Sequence, residues 1–158
     1  MDISATHQYP LPPAATFAML TDPAFLEAVC AATDPLEYSV QVAGLRTGAR
    51  RTMRNHPSIE RFTGPTITVT DEVEWQPADG DSRTGRTLVA VEGMPVTLTG
   101  TVTLAPSGAG SSLTYTGELT VAIPLLGPAL ERQAAPLLLQ ALSIQAEVAK
   151  TWPVDAGS

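Results

Sequence analysis

The sequence predicts an α+β fold: a curved antiparallel sheet of about six to seven strands packs against one long C-terminal helix, and two short helices follow the first strand. Three observations lead to this prediction. Apolar and polar residues alternate, as in half-buried strands, over residues 2–9 and again in segments between residues 36 and 123. Proline-bounded helical segments interrupt this alternation between residues 10 and 35. After Pro124 the spacing of the apolar residues becomes helical.

The first strand and the two short helices are predicted from residues 1–35. One side of the strand at residues 2–9 carries Ile3, Ala5, His7 and Tyr9. The prolines that follow end this strand. A first helix is predicted over residues 14–20, and Thr21-Asp22-Pro23 is typical of a break followed by a new N-cap with proline at the first helical position. The second helix is expected to reach about Ala32, before Asp34-Pro35.

Period-two alternation predicts the remaining strands. They cover residues 36–42, 50–55, 66–75, 86–92, 96–104 and 113–123. The clearest is 66–75, in which every second residue from Ile67 to Trp75 is apolar except Asp71. Gly44 and Gly48 are predicted to flank a turn, and residues 106–110 to form a hairpin loop. We expect one antiparallel meander with one polar face.

The C-terminal helix is predicted to be about 25 residues long. It begins at Gly127-Pro128 and ends at Trp152-Pro153. Pro136 inside it predicts a kink. Steps of four and three residues align an apolar stripe of Leu130, Ala134, Leu137, Ala141, Ile144, Val148 and Trp152. We therefore expect a single domain over residues 1–153, followed by a flexible tail at residues 154–158.

Composition and charge exclude several function classes. The chain has 158 residues, a single cysteine and a net charge of -7, so a metal site, a cofactor and a nucleic-acid partner are not expected. The longest apolar run, 134–139, is far shorter than the ~20 residues that span a bilayer, which predicts no transmembrane segment. The first residues lack the basic or apolar stretch of a targeting signal, so we expect a cytoplasmic protein. The oligomeric state stays open.

Three parts of the chain carry a family resemblance: "YPLPPAATFAMLTDPAFLEAV" at 9–29, "TVTLAPSGAGSSLTYTGELTVAIPLLG" at 101–127, and the terminal helix. The chain resembles the START-like (SRPBCC) superfamily, whose architecture is called helix-grip. More narrowly, "ATHQYP", "LTDPAFLEA", "EVEW" and "IPLLG" resemble an uncharacterised bacterial family within it. The resemblance implies a deep cavity between the sheet and the long helix that holds lipids, sterols, polyketides or other hydrophobic molecules.

Three polar residues on predicted inward rows are candidate catalytic groups, although no catalytic role is assigned to any of them. Asp71 lies on an apolar row, where desolvation raises the pKa of an unpaired carboxylate. It would orient a ligand or act as a base, or else lie at a bulge or near the end of the sheet and point to water. His7 is either an acid or base or a satisfied structural histidine. Tyr115 is either a hydrogen-bond donor to a ligand or part of the core.

A basic segment is the strongest electrostatic signal. Residues 45–61 contain five arginines against Glu60, a local charge of +4 in a chain of -7, which leaves -11 for the rest. The segment would attract an anionic head group, an acidic partner or a membrane surface, or else protect an edge strand. Alternation sends Arg50 and Arg54 to one face and Arg51 to the other. Ile59 and Phe62 form a cavity lid or a small satellite cluster.

Small residues on the inward rows predict an unfilled interior. These small residues have two alternative explanations. They thin the core and leave a cavity, or they mark sheet bends and close helix–sheet approach. The positions are Gly100, Gly117, Ala134 and Ala141. The residues predicted to bind the ligand are Tyr38, Arg50, Arg54, Phe62, Val69, Asp71, Leu98, Gly100, Tyr115, Gly117, Leu137, Ala141 and Ile144.

Three functions compete. The first is binding, sequestration or transport of a hydrophobic, lipid-like or polyketide-like small molecule without catalysis. The second is an enzyme similar to polyketide cyclases and aromatases, in which at least two of His7, Asp71 and Tyr115 must converge on one cavity. The third is a protein-interaction module with a filled core that works through the basic segment. We expect the first, which involves no catalysis, while the question of enzymatic activity stays open.

Overall fold

The computed structural model describes residues 1–57, 60–61 and 64–153. Ile59, Phe62 and the predicted tail at residues 154–158 lie outside the described residues. The elements are β1 (Asp2–Tyr9), α1 (Pro13–Leu20), α2 (Pro23–Ala32), β2 (Glu37–Ala43), β3 (Arg46–Arg54), β4 (Thr66–Trp75), β5 (Arg83–Val91), β6 (Val96–Ser107), β7 (Gly110–Val121) and α3 (Gly127–Thr151). The predicted fold class is confirmed.

All seven strands form one antiparallel sheet, in the order β1-β7-β6-β5-β4-β3-β2. Strands β2 to β7 form a meander, and β1 returns to the edge beside β7. The helices α1 and α2 make the long connection from β1 at one edge of the sheet to β2 at the other.

Three strands begin earlier than the sequence predicts, among them β7, which starts at Gly110 rather than at residue 113. β3 starts at Arg46 because the turn after β2 consists of Gly44 and Leu45 alone, with Gly44 at φ +60°. The prediction that Gly48 flanks this turn is wrong, since Gly48 pairs with Gln41 inside the ladder. β5 likewise starts at Arg83 rather than at residue 86. β1 and β4 have the predicted bounds.

The predicted N-cap of α2 is confirmed. The Asp22 carboxylate accepts a hydrogen bond from the main-chain N–H of Ala24 at 2.9 Å, and Pro23 opens the helix. A buried hydroxyl pair holds α1 on the sheet: the Thr16 and Ser111 oxygens lie 2.9 Å apart. Both hydroxyls also lie within hydrogen-bond distance of the Leu11 carbonyl. These bonds fix the position of the helical connection over β7.

Six aromatic side chains among the described residues pack together at one end of the molecule, which we call the closed end. They are Tyr9, Phe17, Phe25, Trp75, Tyr115 and Trp152. The rings of Phe17 and Trp75 meet edge to face with centroids 5.6 Å apart, and those of Phe25 and Trp152 at 5.4 Å. Leu113 of β7, fully enclosed, lies in the same cluster. The last turns of α3 are thereby held against α2 and the sheet.

The helix α3 packs through a face beside the predicted stripe. It contacts β1, β7 and α2, and Ala135, Ala146 and Ala149 are buried there. The helix is continuous from Gly127 to Thr151 through Pro136. Within the described ranges, no single helix is long and apolar enough to cross a membrane, and only α1 and α2 taken together, across a bend of 71°, reach that length and apolarity.

Candidate functional site

A cavity of about 400 Å³ lies between α3 and the sheet. Strands β3 to β7 and α3 each contribute apolar side chains to its wall: Met53, Ile67, Val89, Val96, Val121 and Leu137. We call this the main cavity. Its size lies within the range of about 300–1,000 Å³ that is typical of sites for small molecules. The wall of the main cavity consists mainly of small and branched aliphatic side chains, whereas aromatic rings fill the closed end.

A smaller cavity of about 120 Å³ adjoins the main cavity. The two share part of their walls, including Arg51, Val69 and Ala141. The smaller cavity lies between the main cavity and the closed end. Along a strand, residues of the main-cavity wall are followed by residues of the smaller-cavity wall and then by residues of the closed-end cluster. On β4, for example, Ile67 lines the main cavity, Val69 lines both, Asp71 lines the smaller cavity, and Trp75 lies in the closed-end cluster.

Besides Thr87 and Thr116, four larger polar side chains line the smaller cavity. We call Arg51, Asp71, Tyr115 and Gln145 the polar belt. Strand alternation places the first three on inward rows of β3, β4 and β7, and α3 supplies Gln145 from above the sheet. The belt gives an otherwise apolar site a small number of groups that can orient a ligand.

Arg51 and Asp71 form an ion pair inside the molecule. Arg51 Nη2 donates a hydrogen bond to Asp71 Oδ2 at 2.9 Å. The Arg51 side chain is 12% exposed and the Asp71 side chain 32%, and we attribute the larger value to the cavity that Asp71 faces. Burial raises the pKa of Asp71 above its usual value, and the charge of Arg51 opposes that rise. The alternative in which Asp71 lies at a bulge is wrong, since Ala49 and Val89 pair with it in a continuous ladder.

Gln145 joins two tyrosines across the helix–sheet interface. Its Nε2 atom donates to the hydroxyl of Tyr115 at 3.1 Å and to that of Tyr9 at 3.0 Å. Burial raises the pKa of Tyr115 to about 12, and it raises that of Tyr9 as well. The two hydroxyls therefore stay protonated at neutral pH. Each accepts one hydrogen bond from Gln145 and keeps its own proton to donate.

Carboxylates of β4 and of the turn after β5 pair with three of the five arginines of the basic segment. Arg46 pairs with Glu74 at 3.4 Å, and Arg50 with Glu92 at 2.8 Å, both at exposed positions. Arg51 points inward to Asp71, on the opposite face from Arg50. Arg54, at the end of β3, lines the main cavity. Arg51 therefore lies in the polar belt and Arg54 in the wall of the main cavity, whereas Arg46 and Arg50 form exposed ion pairs.

The structure brings most of the predicted ligand-binding residues to the two cavities. The linings include Arg54, Val69, Asp71, Leu98, Tyr115, Gly117, Leu137, Ala141 and Ile144. Tyr38, Arg50 and Gly100 lie outside the described linings, and Phe62 lies outside the described residues. His7 also lies outside the linings, opposite Leu113 on β7. Asp71 and Tyr115 share one cavity, but His7 is not with them.

Gly100 and Gly117 lie opposite each other on β6 and β7. A methyl group at Gly100 would collide with the main-chain carbonyl of Thr116, and one at Gly117 would lie 2.6 Å from the carbonyl oxygen of Thr99. Glycine is needed here for close approach of main chains. This geometry favours the alternative that the pair marks a bend, although Gly117 also lines the smaller cavity.

Sequence reasoning missed two features of the site. Gln145 was not selected, because a polar residue beside an apolar helical stripe is typical of the solvent boundary. Tyr9 and Tyr115 on the inward rows indicate that such a residue is needed, because buried tyrosine hydroxyls require hydrogen-bond partners. Met53 and Met94, two flexible side chains in the main-cavity wall, were also not selected.

Comparisons with known proteins agree with this architecture. A family model described as "Protein of unknown function (DUF2505)" matches residues 4–152. No curated protein is significantly similar to the chain in sequence. The crystal structure of TTHA0849 from Thermus thermophilus is similar with a TM-score of 0.67 and 19% identity, and the match covers 98% of this chain and 100% of that one.

Two further solved structures have the same fold. The STAR-related lipid transfer protein from Xanthomonas axonopodis matches with a TM-score of 0.61 and 13% identity, over 94% of this chain and 85% of that one. The Zhui aromatase/cyclase from Streptomyces sp. R1128 matches with a TM-score of 0.58 and 13% identity, over 100% and 99%. At these identities the likeness shows a shared START-like fold, and the site must be argued from its own residues.

Proposed function

The chain belongs to the DUF2505 family, whose model matches residues 4–152, and from the geometry of the site we propose that it binds, sequesters or carries a hydrophobic, lipid-like or polyketide-like small molecule in the main cavity. The observation that carries the proposal is the apolar cavity of about 400 Å³ between α3 and the sheet. The names of similar structures, a lipid transfer protein and an aromatase/cyclase, support it. The cytoplasmic location and the domain bounds 1–153 stay predictions.

The apolar stripe of α3 supports the same proposal. Leu137, Ala141 and Ile144 lie on this stripe and line the main cavity, while the neighbouring alanine face makes the contact with the sheet. Leu137 is 42% exposed. A bound apolar molecule would remove these side chains from water, and each buried methylene group would contribute about 0.8 kcal/mol. Affinity would come mainly from this burial.

Native mass spectrometry of the purified protein tests the proposal, followed by extraction and identification of any bound small molecule. We expect a ligand-bound species, or an empty species that takes up N-phenyl-1-naphthylamine, an uncharged hydrophobic fluorophore, with an increase in its fluorescence. An empty species that binds neither this fluorophore nor a sterol or fatty-acid probe would contradict the proposal.

A second candidate, an enzyme similar to polyketide cyclases, is favoured by the presence of Asp71 and Tyr115 in one cavity. The protonated Tyr115 hydroxyl would donate a proton or hydrogen bond to a reactive chain, and the Asp71 carboxylate would accept a proton. Incubation with a poly-β-ketone thioester, followed by mass spectrometry of the products, tests it. Products that persist in both Asp71→Asn and Tyr115→Phe would exclude these roles.

The third candidate, an interaction module, required a filled core. The described residues instead enclose the main cavity, and three arginines of the basic segment are paired with carboxylates. The structure therefore gives this candidate less support than the two that use the cavity.

A further inference from the structure

The Arg51 side chain has more hydrogen-bond donors than the described residues provide acceptors for. A guanidinium carries five N–H groups. Among the described residues, Arg51 donates to Asp71 through Nη2, while its Nε atom is enclosed and has no hydrogen-bond partner there. Buried donors are normally satisfied, so this one requires a partner that the described chain does not supply. Arg51 lines both cavities, at the point where they meet.

The neighbouring belt residue has the same surplus of donors. The Tyr115 hydroxyl accepts a hydrogen bond from Gln145 and keeps its own proton. Tyr115 and Arg51 both line the smaller cavity. Two donors therefore lie beside one cavity whose remaining wall is mainly apolar, which is the arrangement that recognises a ligand oxygen at the end of an apolar body.

The charges of the belt select an uncharged oxygen. Among the described residues that line the smaller cavity, the charged ones are Arg51 and Asp71, and they neutralise each other. A ligand carboxylate beside Arg51 would also lie beside the Asp71 carboxylate, in an enclosed site where like charges repel strongly. An alcohol or ketone oxygen accepts the same hydrogen bonds without that repulsion.

We infer that the ligand is an uncharged amphiphile whose alcohol or carbonyl oxygen binds at Arg51 and Tyr115, with its apolar body in the main cavity. This inference rests on the proposed function and adds the ligand's head group and orientation. The enclosed Arg51 Nε–H would reach the ligand only through a rotation of the side chain, and Arg51 lies in the wall of both cavities.

Displacement of N-phenyl-1-naphthylamine by three ligands of equal chain length tests the inference. Decan-1-ol, decan-2-one and decanoate are compared at about pH 8, where the carboxylic acid is ionised. We expect the alcohol and the ketone to bind about tenfold or more tightly than decanoate, because only decanoate brings a second negative charge beside Asp71. This comparison uses the unmodified protein and so does not depend on the folding of any variant.

Three variants identify the group responsible. Arg51→Met should weaken the binding of decan-1-ol and decan-2-one by removing their donor, and Asp71→Asn should reverse the preference toward decanoate by leaving the Arg51 charge unpaired. Arg50→Met is the matched control, because Arg50 lies on the same strand but pairs with Glu92 on the outer face. It should leave all three affinities unchanged. Circular dichroism and thermal melting confirm that each variant is folded.

Three outcomes would overturn the inference. One is equal binding of decanoate and decan-1-ol by the unmodified protein. Another is an unchanged affinity for decan-1-ol in folded Arg51→Met. The third is a preference for decanoate that Arg54→Met abolishes, which would place the head group at the end of β3 instead. Binding of the fluorophore with any of these outcomes leaves the proposed function standing, whereas failure to bind any of the probes contradicts both.

Discussion

Replacing Ala141 with phenylalanine should block ligand binding without unfolding the protein. Ala141 lines both cavities, so a ring at this position projects into the space that the proposed ligand occupies. The substitution adds six carbon atoms. If these displace about five carbon atoms of the ligand, the loss at about 0.8 kcal/mol for each buried methylene group is about 4 kcal/mol. A flexible ligand that regains half of this contact by shifting still loses about 2 kcal/mol, or about 30-fold in Kd.

Fluorescence titration with N-phenyl-1-naphthylamine measures this change, and thermal melting measures stability. Overpacking of a filled core costs about 1–3 kcal/mol, whereas a ring placed in an apolar cavity gains contacts. The melting temperature of Ala141→Phe should therefore not fall. Ser143→Phe is the matched control, since Ser143 is an exposed residue of the same helix. It should bind the probe as the unmodified protein does.

A folded Ala141→Phe variant with unchanged probe affinity would refute the reasoning, because the probe would then bind outside the cavities. Equal losses in Ala141→Phe and Ser143→Phe would refute it as well, since a general effect of the added ring on α3 would then explain the loss.

Three further predictions concern stability. Leu113→Ala should lower the free energy of unfolding by about 2–5 kcal/mol, because Leu113 is fully enclosed in the closed-end cluster, while Leu88→Ala at an exposed position should change it by less than about 1 kcal/mol in urea denaturation. The Glu131 carboxylate accepts a hydrogen bond from the Val121 N–H at 3.1 Å, which lowers its pKa. The stabilisation that this hydrogen bond provides is present above the Glu131 pKa of the unfolded chain and is lost as pH falls through the lower pKa of the folded state. The free energy of unfolding that Glu131→Gln loses at neutral pH should therefore become smaller below about pH 4.5. A loss that is the same at both pH values would contradict this. Asp22→Ala should cost about 1 kcal/mol and Asp22→Asn much less, since asparagine retains the cap, and equal melting temperatures would exclude a capping role.

Alternation predicted the inward rows of the sheet because the two-residue period alone fixes which side chains share a face. It placed Asp71 and Tyr115 inward correctly, on β4 and β7. It did not identify Arg51 as the inward arginine, since that depends on pairing with a distant strand. Arg51 lies opposite Val69 on β4, and this register brings its guanidinium to Asp71, two residues further along. The ion pair therefore follows from tertiary pairing.

The helical period predicted α3 but not what its apolar stripe contacts. Val148 and Trp152 pack on the closed-end cluster, whereas Leu137, Ala141 and Ile144 on the same stripe line the main cavity. A wall of a ligand cavity and a face packed on a sheet both require apolar side chains, so their sequence patterns are the same. The buried alanines beside the stripe indicate which face packs on the sheet, because their small size lets a helix approach a sheet closely.

The distribution of side-chain size explains why one end of the fold is filled and the other is open. Rings from α1, α2, the sheet and Trp152, which directly follows α3, meet at the closed end, so little space remains there. Toward the opposite end the same strands carry valine, isoleucine and leucine; some of these pack against Ala134 and Ala135 of α3, but they leave a cavity beside the rest of the stripe. The polar belt lies at the transition between the two regions. A ligand entering the aliphatic end with an uncharged oxygen leading would therefore meet Arg51 and Tyr115 at the point where rings stop its further passage, and the depth of the cavity would set the length of the apolar body that fits.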